Sequence, residues 1–325
     1  MSPGNSISFY GWETVPASAN WSYSHNAVSR PARNDHRNWI FHESMTTDGP
    51  GGFGAGTLDA ISADGRTITL GFELAFPAAN IAGATAMVCS GGGAGQHSAI
   101  AGRSYTVDAQ TGRNVTMLHL NAPFDRDVVL GPSGSTICLA ATVGSKILSG
   151  NTFSWGMAVR WFGTTVRGVI ADNNLTDCNV GTGEGESQGA IQGWGLCYSG
   201  AQPNWACEYS GNTLVRSNGI ALIDNNLRGT PYENKYCNAS SYPGPYLRWQ
   251  VVRRNSIAGV ALSANQTNAS SPPCGTISAN CHQSTDVVVE GNEFDCPAGS
   301  RQPPIQVECS HCKVTPDDSS TVVGG

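Results

Sequence analysis

Two aspartates, Asp172 and Asp224, each stand directly before an Asn in a short segment that recurs along the chain, and Arg254 holds the same position in the next copy. If the segments stack as strands with one copy between the aspartates, the carboxyl groups lie about 9.6 Å apart, twice the usual strand spacing. Carboxyl groups roughly 6.5–9.5 Å apart suit inverting glycoside hydrolysis. Asp before Asn is also common turn chemistry, so a purely structural role is the alternative.

A second candidate set lies in the long segment between Cys178 and Cys207. It comprises two acidic residues between glycines and three aromatic residues, namely Glu184, Glu186, Trp194, Tyr198 and Trp205. Such a loop supplies carboxylates for acid–base chemistry beside aromatic platforms for sugar rings. The acidic residues also suit a solvated loop without chemistry.

A third group combines cationic and aromatic side chains: Tyr232, Lys235, Arg248 and Trp249. A Lys or Arg neutralises the carboxylate of a uronate sugar and so assists proton abstraction by a lyase. The catalytic candidates are therefore Asp172, Asp224, Arg254, Glu184 and Glu186, and the substrate-binding candidates are Trp194, Tyr198, Trp205, Arg248 and Trp249.

The sequence lacks the usual zinc-binding signatures. His42-Glu43 lacks the second His of a zinc protease motif. Cys309-Ser-His-Cys312 is a single Cys pair, whereas a structural zinc site needs two closely spaced ligand pairs. The sequence predicts no metal site and leaves any cofactor undefined.

The recurring segment is an apolar run, a turn that ends in Asn, and an apolar return. Its clearest copies centre on Asn151, Asn173, Asn225, Asn255 and Asn292, with spacings of 22, 52, 30 and 37 residues. One unit per 20–50 residues is typical of a solenoid, in which each turn buries its apolar side against its neighbours. We predict one inward column of Asn173, Asn225, Asn255 and Asn292, with Ile170, Leu222, Val252 and Val289 stacked beside it. Asn212, only 13 residues before Asn225, is predicted to lie on another face.

Two of these segments, Val169-Ile-Ala-Asp-Asn173-Asn-Leu175 and Val287-Val-Val-Glu-Gly-Asn292-Glu-Phe294, resemble rungs of the right-handed parallel β-helix in the pectin-lyase-like superfamily. The resemblance covers about residues 145–315, with an outlying rung within 1–45. It implies an all-β solenoid with stacked Asn side chains, because Asn tolerates left-handed backbone and can bond to its equivalents. This scaffold hosts lyases, hydrolases, phage tailspikes and adhesins, so it does not define an activity.

The chain departs from the polygalacturonase-like members of that superfamily. Their Asn-Thr-Asp, Gly-His-Gly and Arg-x-Lys motifs are missing, and the paired acids Asp317-Asp318 lie near the end of the chain. A polygalacturonase activity is therefore disfavoured. A β-sandwich is the structural alternative to the β-helix, because short strands between turn signals also suit that fold.

Residues 48–140 break the repeat. A Gly-rich stretch is followed by strand-like runs at Thr67–Leu70, Ala86–Cys89, Ser104–Val107, Val115–Leu118 and Val128–Leu130, which predict a small antiparallel insert. Within it, Gly91-Gly-Gly-Ala-Gly-Gln96 resembles a segment of other β-helix proteins that carry inserts. We predict N-terminal β-helix rungs in 1–47, the insert in 48–140, the main β-helix in 141–315 and a tail in 316–325.

The composition supports strands and turns. Only 13% of residues are charged, whereas Gly and Pro number 40 and 17, which argues against helices. The net charge of −6 and the lack of a Lys/Arg cluster exclude nucleic acid as a partner.

Eleven cysteines indicate an oxidising compartment, and we predict at least four disulfides. Six glycosylation sequons agree with secretion, at Asn20, Asn114, Asn174, Asn238, Asn265 and Asn268. No apolar run is long enough for a membrane span. Because the chain begins in the middle of a rung, we expect it to be part of a longer protein.

These observations lead to one main hypothesis, an extracellular β-helix protein that acts on polysaccharide as a hydrolase or lyase. The alternative is a non-catalytic wall, matrix or adhesive protein that binds carbohydrate. Converging carboxylates would favour the first, and a surface without them the second.

Overall fold

The computed structural model describes residues 7–8, 21–29, 43–48, 52–72, 74, 81–109, 111–140, 145–154, 157–162, 164–178, 189–197, 201–225, 244, 246–259, 277–295, 305–310 and 313–315. Every regular element in these ranges is a β-strand. Within them, no helix could serve as a membrane span.

Three parallel sheets wind around one apolar core. Sheet B contains β2 (Trp21–Ser24), β11 (Lys146–Ser149), β15 (Val169–Ala171), β20 (Glu208–Ser210), β24 (Val251–Arg253), β27 (Val288–Glu290) and β30 (Lys313–Val314). Sheet C contains β3 (Ala27–Ser29), β12 (Thr152–Ser154), β16 (Asn174–Thr176), β21 (Thr213–Val215), β25 (Ser256–Ala258) and β28 (Glu293–Asp295).

Sheet A is broader than the other two. Its longer strands are β4 (Glu43–Asp48), β13 (Met157–Phe162), β17 (Ile191–Cys197), β22 (Ile220–Asn225), β26 (Ile277–Thr285) and β29 (Ile305–Ser310). Its shorter strands are β1 (Ile7–Ser8), β14 (Thr165–Val166), β18 (Ala201–Gln202), β19 (Asn204–Trp205) and β23 (Leu247–Arg248). Among the described strands of sheet A, only β18 pairs antiparallel, with β17.

Successive rungs of the three sheets stack in parallel register. Ile170 pairs with Leu148 on one side and with Tyr209 on the other. Most strands of sheets B and C are three residues long, and their central residue points into the core, so one apolar residue per strand suffices. The predicted right-handed parallel β-helix is confirmed, and the sandwich alternative is excluded by the parallel pairing.

A ladder of Asn side chains, buried except for the partly buried Asn26, lies where sheet B turns into sheet C, a position that we call the first corner. Its members are Asn26, Asn151, Asn173, Asn212, Asn255 and Asn292. In each step the backbone N–H and the Nδ2 group of one Asn donate to Oδ1 of the next, as from Asn173 to Asn212 at 3.1 and 2.9 Å. The ladder satisfies polar groups that the core would otherwise bury without partners.

The predicted column was right for Asn173, Asn255 and Asn292 and wrong for Asn225. Asn212 occupies the ladder, with spacings of 39 residues to Asn173 and 43 to Asn255. Asn225 lies in β22 of sheet A, and Leu222 of the same strand packs in the core there instead of stacking beside the ladder. Asn212 and Asn225 are 13 residues apart and lie on different sides of one rung. The prediction put Asn225 in the ladder and Asn212 on another face, and the observed arrangement is the reverse.

Each corner contains one residue per rung with left-handed backbone, and at the first corner this residue is not the Asn itself. At the first corner it is the residue before each ladder Asn, namely His25, Gly150, Asp172, Gly211, Arg254 and Gly291, with φ between 54° and 64°. Asp177, Arg216 and Gly259 play the same part where sheet C turns toward sheet A, the second corner. Arg167, Ala206, Trp249 and Asp286 do so where sheet A returns to sheet B, the third corner.

The insert forms a closed antiparallel barrel. Its strands are β5 (Gly52–Ile61), β6 (Thr67–Leu70), β7 (Thr85–Ser90), β8 (His97–Val107), β9 (Asn114–Leu120) and β10 (Thr136–Ala140). The predicted antiparallel insert is confirmed, with one correction, because Val128–Leu130 is a loop whose Val129 is 52% exposed and β10 begins at Thr136.

The barrel packs against the β-helix through a separate apolar cluster. Ala55, Met87, Cys89 and Cys138 of the barrel meet Val166, Ala201, Trp205 and Tyr246 of the β-helix. Cys89 and Cys138 form a disulfide between β7 and β10 at this contact. Cys178 and Cys207 lie buried in the β-helix, and the side chains of the other seven cysteines fall outside the described part, so the predicted four bridges remain a prediction.

Candidate functional site

The predicted pairing of Asp172 with Asp224 is wrong. Asp172 is an exposed first-corner residue, and its carboxylate lies over Gly211 of the next rung, where a methyl group would collide with it. Asp224 belongs to β22 of sheet A, where its backbone partner is Gly195. Because Asp172 lies at the first corner and Asp224 in sheet A, the two aspartates do not flank one groove position. Arg254 lies on the same corner as Asp172, two rungs beyond it.

The long segment between Cys178 and Cys207 is only partly described. Glu184, Glu186 and Tyr198 lie outside the described residues. Trp194 and Trp205 are 9% and 1% exposed, so neither indole offers an open face to a sugar ring in this arrangement.

Trp194 belongs to a polar cluster on the outer face of sheet A. Its Nε1 group donates to Oε1 of Gln192 at 2.8 Å, and Nε2 of Gln192 donates to the Gly189 carbonyl at 2.9 Å. The Arg160 guanidinium lies 5.9 Å from the Trp194 ring centre, a cation–π contact. The strand alternation that buries Ile191 inward places Gln192 and Trp194 on the opposite face.

The substrate-binding candidates that the structure brings together are Trp205, Arg248 and Trp249, at the third corner. Trp249 is 37% exposed, and its ring packs edge-to-face on buried Trp205 with centroids 5.7 Å apart. The Arg248 guanidinium lies 5.0 Å from the Trp249 ring centre and donates to the Cys89 carbonyl of the barrel at 3.2 Å. These contacts hold an accessible indole in a fixed orientation.

A glycine loop of the barrel completes the surface. Gly95 has a φ of 102°, and a methyl group there would come within 2.9 Å of Cη2 of Trp249. Next to it, Gln96 Nε2 donates to Oδ1 of exposed Asp125, and the Asp125 N–H donates to Gln96 Oε1 at 2.8 Å. We call Gly95, Gln96, Asp125, Arg248 and Trp249 the junction surface.

Sequence reasoning missed the barrel's share of the junction surface. The Gly-Ala-Gly-Gln segment resembles a segment of other β-helix proteins with inserts, but nothing in the sequence points from Gly95 to Trp249. Asp125 stood in a turn-rich segment without a repeat to mark it. The signal that was present is the run of glycines, which permits the close approach of another chain segment.

Two other described carboxylates are engaged by arginines. Arg216 donates from Nε and Nη2 to both oxygens of Asp177 at 2.7 and 2.6 Å, which raises the pKa of the Arg216 guanidinium. Glu208 accepts from Arg253 at 2.9 Å, and hydrogen bonds from Ser210 and Arg253 lower its pKa. Within the described residues, no cluster of three His, Cys, Asp or Glu side chains could hold a metal ion.

Comparison with solved structures finds several similar chains, and two of them are phage tailspikes with low sequence identity. The tailspike protein gp49 from Pseudomonas phage LKA1 is 12% identical with a TM-score of 0.26, over 83% of this chain and 43% of that one. The tailspike gp61 from Pseudomonas phage phi297 is 10% identical with a TM-score of 0.33, over 94% of this chain and 50% of that one. The chain thus spans half or less of the length of these structures. No family model and no curated protein matches it.

Proposed function

We propose that the protein binds polysaccharide at the junction surface, with Trp249 as the stacking platform. The observation that carries this proposal is the accessible indole of Trp249, held by Trp205 beneath it and by the Arg248 guanidinium. Rigid aromatic rings with one apolar face in water are suited to the apolar faces of sugar rings. Little ordering entropy is lost when such a preorganised ring binds a ligand.

Polar groups beside the platform suit the hydroxyl groups of a sugar. Gln96 and Asp125 present an amide and a carboxylate that already bond each other and are accessible to solvent. Such groups fix orientation, while the aromatic ring supplies contact area.

The third corner offers a direction for an extended chain. Trp249 is followed one rung later by Asp286 and preceded by exposed Ala206, at intervals of about 4.8 Å. The small Ala206 leaves room beside the indole. A polysaccharide lying along the β-helix axis would therefore cross Trp249 with its neighbouring sugars over Ala206 and Asp286.

The test is retention on immobilised polysaccharides, with neutral glucans, galactans, alginate and pectin as probes. Trp249→Ala should weaken retention at least about tenfold, because a stacking platform contributes a large part of the contact energy. Trp249→Phe should retain most of the affinity. Tyr105→Ala is the matched control, since Tyr105 is 56% exposed under the Arg103 guanidinium elsewhere on the barrel. Equal retention of Trp249→Ala and the parent protein would refute the proposal.

Cleavage of the bound chain, by hydrolysis or elimination, is the second candidate, and it is favoured by the carboxylate of Asp125 beside the platform. A general acid or base must lie within reach of the scissile bond. Release of reducing ends and new ultraviolet absorbance from an unsaturated product would detect the two reactions. Activity abolished in Asp125→Asn but kept in Asp224→Asn would place the chemistry at the junction surface. Activity abolished in Asp224→Asn but kept in Asp125→Asn would place it at β22 instead. Retention without turnover leaves a binding protein of wall, matrix or adhesive type.

We also propose that the protein is extracellular. The disulfide between Cys89 and Cys138 and two exposed sequon residues, Asn114 and Asn174, support an oxidising, glycosylating route. Removal of N-glycans should increase the electrophoretic mobility of the native protein, and no change in mobility would contradict glycosylation. Membership of the pectin-lyase-like superfamily stays a prediction.

A further inference from the structure

Lys146 is buried in the β-helix, and no described acidic residue pairs with it. It is the first residue of β11, directly after the barrel, and the alternation of this strand points it inward with core residue Leu148. Its side chain is enclosed, with the whole residue 2% exposed. Among the described groups, Nζ donates only to the Thr164 carbonyl and to Thr165 Oγ1, both at 3.3 Å. A buried charge without a counter-charge costs several kcal/mol, so this arrangement calls for a further ligand.

A second buried donor, the Trp161 indole N–H, lies close to the same place. Lys146 stands opposite Gly168, one residue before the pair Ile147 and Val169. A methyl group on Gly168 would meet Thr165 Cγ2 at 2.8 Å, Trp161 Nε1 at 3.0 Å and Cys207 Sγ at 3.2 Å.

Two buried groups at this position lack hydrogen-bond partners. Trp161 Nε1 and Thr164 Oγ1 are fully enclosed, and neither donates to or accepts from any described group. Buried N–H and O–H groups are normally satisfied by protein, water or an ion. An enclosed ammonium, an indole N–H and a hydroxyl therefore share a need for an acceptor.

Of the described residues, the titratable neighbours Cys207 and Tyr209 do not supply that acceptor as an anion. Burial raises the pKa of the Cys207 thiol to about 12, and burial also raises the pKa of Tyr209 well above its usual value. Both are neutral at pH 7. The other described residues that these contacts name, Thr164, Thr165 and Trp161, carry no charge.

We propose that this interior site binds one small monovalent anion of the halide class, held between the Lys146 ammonium, the Trp161 indole N–H and the Thr164 hydroxyl. All three groups donate hydrogen bonds, and the anion balances the charge of Lys146. A water molecule would satisfy donors but would leave the charge unbalanced. The site lies inside the β-helix and is independent of carbohydrate binding at the junction surface.

Thermal unfolding tests the proposal on the intact protein. Chloride or bromide should raise the unfolding midpoint by about 2 °C for each tenfold increase above its Kd, relative to sodium gluconate at equal ionic strength. Lys146→Met should abolish this difference between halide and gluconate. Lys313→Met, at an exposed lysine in β30, is the matched control and should keep it. An equal halide response in all three proteins would show a general salt effect and overturn the proposal.

Crystals grown in sodium bromide give a second, direct measurement. An anomalous bromine peak within contact distance of Lys146 Nζ and Trp161 Nε1 is the expected result. Density of a water oxygen there, without anomalous signal, would overturn the proposal. If Lys146→Met does not fold, Trp161→Phe keeps the ring but removes the N–H, and it should weaken the halide response.

Discussion

The first and third corners of the β-helix share one backbone conformation but differ in their side chains. Both place one residue per rung in the left-handed region, with φ from 53° to 64°. At the first corner the next residue is always Asn, because each Asn bonds to the Asn of the following rung. At the third corner the residues are Arg167, Ala206, Trp249 and Asp286, which share no ladder. A corner whose side chains need not bond each other is free to vary, and it carries the candidate site.

The largest expected effect comes from breaking the first corner. Asn212→Ala removes the acceptor of two N–H groups of Asn173 and leaves them buried without a partner. We expect a loss of about 4 kcal/mol in the free energy of unfolding, measured by urea denaturation. Thr152→Ala, at an exposed Thr directly after ladder residue Asn151, is the control and should change stability by less than about 1 kcal/mol. Similar losses in the two variants would mean that the ladder adds little beyond ordinary turns.

A smaller effect is expected inside the third corner, from the titration of Lys146. Burial lowers the pKa of Lys146 from 10.5 to about 8, so between these values the unfolded chain binds more protons than the folded one. Folding stability contributed by this group should therefore rise as the pH increases from about 8 to 10.5, by on the order of 2–3 kcal/mol in gluconate buffer.

The comparison with Lys146→Met isolates that contribution from the other groups that titrate in the same range. The parent protein should gain stability relative to the variant as the pH rises, and a bound halide should reduce the gain because it favours the charged amine. A difference between the two proteins that stays constant from pH 8 to 10.5 would show that Lys146 does not titrate there.

The smallest expected effect on stability comes from the outer side of the third corner. Gly95→Ala adds a methyl group against the Trp249 indole and should displace it, which we expect to weaken polysaccharide retention several-fold. The strain of an Ala at a φ of 102° should cost about 1–2 kcal/mol. Gly102→Ala, in the same barrel with no atom within 4 Å of the added methyl, should leave retention unchanged. Unaltered retention by Gly95→Ala would separate the glycine loop from the site.

The sequence revealed the repeat because every rung must bury one apolar residue per strand and satisfy one Asn. It misassigned Asn225 because Asp224-Asn225-Asn226-Leu227 has the same local turn chemistry as Asp172-Asn173-Asn174-Leu175. The two segments differ in their place along the rung. Asn212, 13 residues before Asn225, supplies the ladder Asn of that rung, so Asn225 falls in sheet A. Local preference cannot distinguish two sides of one rung.

The junction surface was beyond sequence reasoning for a different reason. Trp249 was a candidate from its residue type, but its partners Gly95 and Asp125 belong to the barrel, far away in the chain. No periodic pattern connects a barrel loop to a β-helix corner. The contact depends on how the apolar cluster around Cys89 and Trp205 docks the two parts together.

The ladder step from Asn26 to Asn151 spans 125 residues, whereas the next step spans 22, because the barrel is inserted between them. Closing the longer loop costs about 1.5 kcal/mol more chain entropy if the intervening chain is unfolded. Long-range pairing of this kind slows folding, so we expect the rung around Asn26 to form after the barrel, which brings its two ends together once folded. The folded barrel then holds the two ends of this step close together. The stability of the barrel therefore determines how early in folding the rung around Asn26 pairs with the rest of the β-helix.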